Sequence, residues 1–154
     1  MTILVDSSVW ISYLNGVSSA EAAYLAVCIG EDRPLAVPGL VQTEVLMGVR
    51  SEAEAARVSR SLAAFPLTPD PAPSDYQRAA AICRECRTRG FTIRSMVDCL
   101  IAQLCLRDGH ELLAQGRDFD AIDSVFPLRR VSIRLMVHDS AISYLANVAA
   151  SAEA

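Results

Sequence analysis

The sequence predicts an α/β protein built around a parallel sheet. Three short apolar runs, at residues 3–5, 35–37 and 111–114, are typical of strands buried on both faces, because apolar and polar residues do not alternate in them. Segments with helical periodicity separate the runs, and this alternation favours parallel strands. A chain of 154 residues with 52% hydrophobic residues is long and apolar enough to form one domain with its own core.

Capping residues and apolar residues at helical spacing define the other elements. Short additional strands are expected at 67–69 and 130–133. A helix is expected to begin at the capping pair Ser95 and Asp98. The remaining predicted helices span residues 7–14, 19–30, 39–49, 51–65, 74–88 and 138–150.

Two acidic residues directly follow predicted strands. Asp6 ends the first strand and precedes two serines, and Asp118 lies in an acidic cluster after the third strand. Ligands of parallel sheets bind beyond the carboxyl ends of the strands, so both carboxylates are candidates for a site there. The alternative for Asp6 is a purely local role as the N-cap of the following helix.

Two more acids lie on predicted helices. Glu44 falls at the margin of an apolar stripe, where an unpaired carboxylate is costly, so a cationic partner is expected unless the side chain reaches water. Asp98 stands three residues after Ser95, the spacing of a capping box. A role in the cap and a position at the edge of a cleft are compatible for Asp98.

If these four carboxylates converge, they repel one another and raise one another's pKa values. Oxygen-rich acidic sites of this kind suit Mg²⁺ or Mn²⁺, and such ions can activate a water for attack on a phosphodiester. The chain contains only two histidines, His110 and His138, and neither lies near these motifs. Catalysis by a serine–histidine pair therefore has little support.

Composition limits the remaining interpretations. The net charge is −4, yet all 14 basic residues are arginine, and four of them fall within residues 84–94. That run is either a solvated surface or a track for phosphates. Cys83 and Cys86 form a CxxC without a second pair, which favours a place in the core over a metal site. The chain shows no signal peptide and no membrane span, so we expect a cytoplasmic protein.

Four segments, in order along residues 1–128, resemble PIN-domain ribonucleases, and the likeness is greatest to the VapC toxins of bacterial toxin–antitoxin pairs. These segments are VDSSVWI at 5–11, TEVLMG at 43–48, RSMVDCLIA at 94–102 and RDFD at 117–120. Each motif alone is weak, whereas the four together are fairly specific.

The resemblance implies a three-layer α/β/α sandwich and an endoribonuclease that depends on Mg²⁺ or Mn²⁺. It also implies a homodimer and a VapB-type antitoxin that blocks the site. By motif, Asp6, Glu44 and Asp98 match the three central acids, and Asp118 serves as the fourth. The expected metal ligands are Asp6, Asp98 and Asp118. Many relatives carry a further acid where this chain has Gly116, which predicts weaker metal binding.

The sequence leaves other interpretations open. Gly116 is compatible with a non-catalytic PIN-like module that binds RNA or protein. A phosphotransferase using Asp6 as nucleophile has less support, because such enzymes favour a second Asp where this chain has Ser8. We expect one domain over residues 1–154, with 129–154 as a C-terminal extension. The apolar helices around 20–27 and 53–65 offer more apolar surface than one small core is expected to bury, which favours a dimer.

Overall fold

The structure is a computed structural model, which describes residues 1–133. Its centre is a sheet of three parallel strands, β1 (Ile3–Val5), β2 (Leu35–Ala36) and β3 (Glu111–Leu113), in the order β2-β1-β3. Ile3 of β1 is in register with Leu35 on one side and with Glu111 on the other. The predicted parallel sheet is therefore confirmed, and β1 is its middle strand.

Helices cover both faces of the sheet, which gives the predicted three-layer α/β/α arrangement. They begin where capping residues stand: Ser19, Ser51 and Ser95 each accept a hydrogen bond from the backbone N–H three residues on. The helices within the described residues are α1 (Ser7–Leu14), α2 (Ala20–Gly30), α3 (Gly39–Met47), α4 (Glu52–Leu62), α5 (Pro73–Thr88), α6 (Met96–Asp108) and α7 (Arg117–Asp123).

The core lies between the sheet and these helices. All three residues of β1 are fully buried, as expected for a strand covered on both faces. Trp10 of α1 is buried as well and packs against Phe65, with 5.1 Å between the ring centroids. Cys86 is fully buried and Cys83 partly so, and all five cysteines are free thiols. The CxxC therefore contributes small side chains to the core, as predicted.

Several predicted boundaries shift. The expected strands at 67–69 and 130–133 are reduced to single parallel bridges, Val37 with Leu67 and Leu112 with Arg130. Helix α5 begins at Pro73 rather than at Ser74, because proline is well suited to the first helical position. Asp75 then lies in the first turn, where its carboxylate accepts the Ala72 N–H at 2.8 Å.

The helix predicted over 138–150 lies outside the described residues, as does most of the expected extension 129–154. Across residues 1–133, none of the helices combines the length and the apolar character that crossing a bilayer requires.

Candidate active site

Asp6 begins the site, because it stands where the central strand ends. Its backbone N–H donates to the carbonyl of Leu113 at 2.9 Å, which fixes it beside the end of β3. Its carboxylate accepts the Ser8 N–H at 3.0 Å and also the Ser8 hydroxyl, so Asp6 is the N-cap of α1. Burial raises the pKa of Asp6, while the bonds from Ser8 oppose that shift. Asp6 thus has the capping role and also lies at the predicted edge.

Ser8 also connects the two strand ends. Its hydroxyl oxygen accepts the backbone N–H of Gln115 at 3.2 Å, across 107 residues of sequence. Sequence reasoning did not identify this link, since no local pattern pairs a serine after β1 with the residue that follows Ala114. The bond holds the carboxyl ends of β1 and β3 together beneath the acidic residues.

Glu44 lies on α3, at the margin of a buried stripe formed by Val41 and Val45. One carboxylate oxygen, Oε2, is buried and has no hydrogen-bond partner. Burial raises the pKa of Glu44 and the charge of Asp6 raises it further, while the Ser7 side chain opposes both effects. The predicted cationic partner is not found among residues 1–133, where Glu44 belongs to no ion pair. Its neighbours are a hydroxyl and another acid instead.

Asp98 is the third residue of α6, and the predicted capping box around it is only half formed. Its backbone N–H donates to the Ser95 hydroxyl at 3.1 Å, as expected. The reciprocal bond comes from another residue, because the Ser95 N–H donates to the carboxylate of Asp118 at 2.9 Å. The same Asp118 oxygen accepts the Arg94 N–H at 2.8 Å. Asp118 therefore completes the cap, and the carboxylate of Asp98 is left available to the site.

The pKa of Asp98 shows that the four acids form one electrostatic cluster. Burial raises this pKa most, the negative charges of Asp6, Asp118 and Glu44 add to the rise, and only Ser95 opposes it. The result is a pKa of about 6 for the Asp98 carboxyl. The structure therefore places all four residues that the sequence singled out within one electrostatic field, although their catalytic roles stay predictions.

Asp120 lies in the same acidic segment but is occupied by another partner. Its carboxylate accepts a hydrogen bond from Arg130 at 2.8 Å. The Arg130 guanidinium also donates to the carbonyl of Ala114 at 2.8 Å and lies over the ring of Phe119. Arg130 was missed by sequence reasoning because its partners are distant in sequence. The positive charge of Arg130 lowers the pKa of Asp6, so Arg130 acts electrostatically on one member of the cluster.

Gly116, the position where the family resemblance led us to expect an acid, has a backbone conformation that strongly favours glycine. Its φ is +118° and its ψ is 153°, a region that residues with a side chain seldom adopt. A Cβ at this position would meet no atom within 4 Å, so the constraint is the backbone conformation and not the available space. The sequence departure at 116 therefore has a structural counterpart at the start of α7.

The donor set of the cluster fits a hard divalent cation. Carboxylate oxygens are the ligands that Mg²⁺ and Mn²⁺ prefer. The unpartnered Oε2 of Glu44 and the three negative charges that add to the raised pKa of Asp98 are both features that a bound cation would relieve. Within residues 1–133, however, no three acidic, histidine or cysteine side chains converge closely enough to form a ready ligand group. The acids share an electrostatic field without meeting at one point.

Comparison with known proteins defines the class. The PIN domain family model matches residues 3–125, and the chain therefore belongs to the PIN domain family. Ribonuclease VapC11 of Mycobacterium tuberculosis and VapC ribonuclease Mb1587 of Mycobacterium bovis are each 32% identical to it over 134 residues. Each match spans 86% of this chain and 99% of the relative.

Solved structures agree with the fold. VapBC2 from Rickettsia felis, bound to a promoter DNA fragment, superposes with a TM-score of 0.67 at 13% identity, over 85% of this chain and 98% of that chain. VapBC-1 from nontypeable Haemophilus influenzae superposes with a TM-score of 0.66 at 14% identity, over 87% of this chain and 99% of that chain. VapC20 of Mycobacterium tuberculosis is described as a sarcin-ricin loop cleaving toxin. It superposes with a TM-score of 0.58 at 19% identity, over 82% of this chain and 98% of that chain. At these identities the likeness concerns the fold alone.

Proposed function

We propose that this PIN domain is a metal-dependent endoribonuclease toxin that hydrolyses RNA phosphodiester bonds at the cluster of Asp6, Glu44, Asp98 and Asp118. The chain is a ribonuclease of the VapC type, since it is 32% identical to VapC ribonucleases over nearly their whole length. The observation that supports the location of the site is the pKa of Asp98, which burial and three neighbouring acids raise to about 6. Perturbed carboxylates grouped at a sheet edge are typical of a catalytic site.

Asp6, Asp98 and Asp118 are the residues that would hold Mg²⁺ or Mn²⁺. A bound cation of this kind supplies positive charge to the phosphate and lowers the pKa of a coordinated water. Two of the three carboxylates are already oriented by hydrogen bonds. Asp6 is held by Ser8, and one oxygen of Asp118 is held by two backbone N–H groups. Each of these acids can keep its position when its neighbours change charge state.

Glu44 has a different proposed role. Its carboxylate belongs to no ion pair within residues 1–133, so it is available to accept a hydrogen bond, and then a proton, from the water that attacks phosphorus. The raised pKa of Glu44 favours that transfer, because a more basic carboxylate holds the proton better. Glu44 therefore acts as the proton acceptor, and the three aspartates organise the charge around it.

Cleavage of RNA by the purified protein, with Mn²⁺ or with a chelator, tests the proposal. We expect cleavage only with the metal. Asp6→Asn, Asp98→Asn and Glu44→Gln should each lower the rate by at least about 100-fold, the range of lost general acid–base catalysis. Asp123→Asn is the matched control, because Asp123 is an exposed acid at the end of α7. Its activity should be unchanged.

Two results would contradict the proposal. Full activity of Asp98→Asn would remove the cluster from the mechanism. A wild-type protein that binds RNA but never cleaves it would favour the non-catalytic binding module.

We also propose a VapB-type antitoxin and a second copy of this chain as partners. Solved neighbours include VapBC complexes, and large apolar side chains are exposed here, notably Met47 (78%), Leu67 (60%) and Tyr76 (52%). The reason given from sequence for a dimer stays a prediction, since Leu25 and Leu62 are buried within the chain itself whereas Val27 is 40% exposed. Added antitoxin should suppress cleavage. Sedimentation at micromolar concentration should show a dimer, and a monomer would contradict that part.

Residues 129–154 belong, in this proposal, to the same single domain as a C-terminal extension. Arg130 supports the assignment of the beginning of this segment, because it bridges β3 and pairs with Asp120. The family model ends at residue 125, so the extension lies beyond the residues that this model matches.

A further inference from the structure

The arginine run noted in the sequence separates into residues with different surroundings. Arg89 forms an ion pair with Glu85 at 3.2 Å, and Arg87 lies 3.8 Å from the sulfur of Cys83. The side chain of Arg94 is exposed and, within residues 1–133, makes no hydrogen bond or ion pair. The side chain of Arg117, which lies outside the run, is also exposed and makes no hydrogen bond or ion pair within residues 1–133. The guanidinium groups of Arg94 and Arg117 are thus exposed and without a protein partner among the described residues. They share this property with Arg50, Arg60, Arg78 and Arg84, so the position of the two arginines is what distinguishes them.

Both arginines border the same carboxylate. The backbone N–H of Arg94 donates to Asp118 at 2.8 Å, and Arg117 is the residue immediately before Asp118. Although the two arginines are 23 positions apart in sequence, the fold brings the backbone of both next to one member of the acidic cluster. Neither guanidinium forms an ion pair with Asp118 in the described part of the chain.

Helix stability does not explain these two positions. Arg94 directly precedes the N-cap Ser95 of α6, and Arg117 is the first residue of α7. A cation near the beginning of a helix opposes the helix dipole, at a cost of about 0.3–1 kcal/mol. Both arginines therefore occupy locally unfavourable positions next to the site, and a bound anion would offset that cost.

We propose that Arg94 and Arg117 bind two phosphates of a single-stranded RNA next to the scissile bond. This inference rests on the proposed ribonuclease function. Guanidinium groups suit this task because they bind phosphate through two parallel hydrogen bonds. The site has a particular need for them, since four carboxylates repel a polyanion and the chain carries a net charge of −4. The two arginines supply the attraction that seats the strand over the acids.

The salt dependence of RNA binding tests this inference. The protein carries Asp98→Asn in every arm, so that RNA stays intact, and the probe is a fluorescein-labelled short polyuridine RNA followed by fluorescence polarisation. Each lost phosphate contact on a single strand reduces the slope of log affinity against log salt by about 0.7. Arg94→Gln with Arg117→Gln should therefore lower the slope by about 1.4. From 50 to 200 mM salt, affinity should fall about sevenfold less than in the arginine-containing parent.

Matched controls separate a local contact from general charge. Arg57→Gln with Arg60→Gln removes the same charge from exposed positions of α4 and should leave the slope unchanged. Arg94→Lys with Arg117→Lys keeps the charge and should preserve the slope. An equal fall in slope for the α4 pair, or no fall for Arg94 and Arg117, would overturn the inference. Metal-dependent cleavage by the wild-type protein, measured in parallel, shows independently whether the proposed function holds.

Discussion

Asp98→Asn should stabilise the metal-free protein at neutral pH while it abolishes cleavage. The carboxyl of Asp98 has a pKa of about 6 in the folded chain, against an ordinary value of 3.8. This rise in pKa corresponds to a free energy of about 3 kcal/mol by which the folded protein disfavours the ionised carboxylate. Because the carboxyl is only partly buried, solvent screening reduces this figure to about 1 kcal/mol. The substitution removes that repulsion and keeps the backbone N–H that bonds Ser95.

The sign follows from proton binding. Between pH 3.8 and about 6 the folded chain holds the Asp98 proton more tightly than the unfolded chain does. Stability of the wild-type protein therefore falls as pH rises through this window, and the full penalty is present above pH 6. Asparagine does not titrate, so the gain from Asp98→Asn should be largest at pH 7.5 and should vanish below about pH 4.

Urea unfolding in the presence of a chelator, at pH 7.5 and at pH 5, measures the effect, with Asp123→Asn as the exposed control. The variant should have the higher midpoint at pH 7.5, and the difference should shrink at pH 5. Adding Mn²⁺ should reverse the order, because only the wild-type cluster gains from the cation. A loss of about 1 kcal/mol at both pH values would refute the reasoning, since it would mean that the Asp98 carboxylate caps α6.

Two further predictions concern residues around the cluster and in the core. Gly116→Asp and Gly116→Ala should each destabilise the protein by about 1–3 kcal/mol, because φ is +118° there. Of the two, only the aspartate variant should bind Mn²⁺ more tightly in calorimetric titration, and equal affinities would mean that residue 116 points away from the acids. Arg107→Gln should lower the melting temperature more than Arg57→Gln does, because Arg107 bonds the buried Asp75 at 2.7 Å. Equal melting temperatures would refute a structural role for that pair.

The elements that could be predicted from sequence are those fixed by local chemistry. The strand at residues 3–5 and the helix at 7–14 match the structure, because an unbroken apolar run and a capping acid define both ends. The short strands expected at 67–69 and 130–133 are single bridges in the structure, because at the margins of the sheet each pairs with its neighbour at only one position. The positions of two acids were likewise predictable, because the structure puts Asp6 directly after β1 and Glu44 at the margin of a buried stripe, while their roles stay predictions.

The sequence does not predict which acid bonds the backbone and which one remains available to the site, and the cap of α6 shows why. The spacing of Ser95 and Asp98 satisfies the local rule, so nothing within ten residues indicates that the bond to the Ser95 N–H comes from elsewhere. Asp118 provides it, 23 residues further on, through the packing of α7 against α6. Because Asp118 accepts the Ser95 N–H, the carboxylate of Asp98 is not needed for the cap, whereas one oxygen of Asp118 is bonded to the backbone. One oxygen of Asp118 is thereby fixed, so the same bonds that position its carboxylate also hold α7 beside α6.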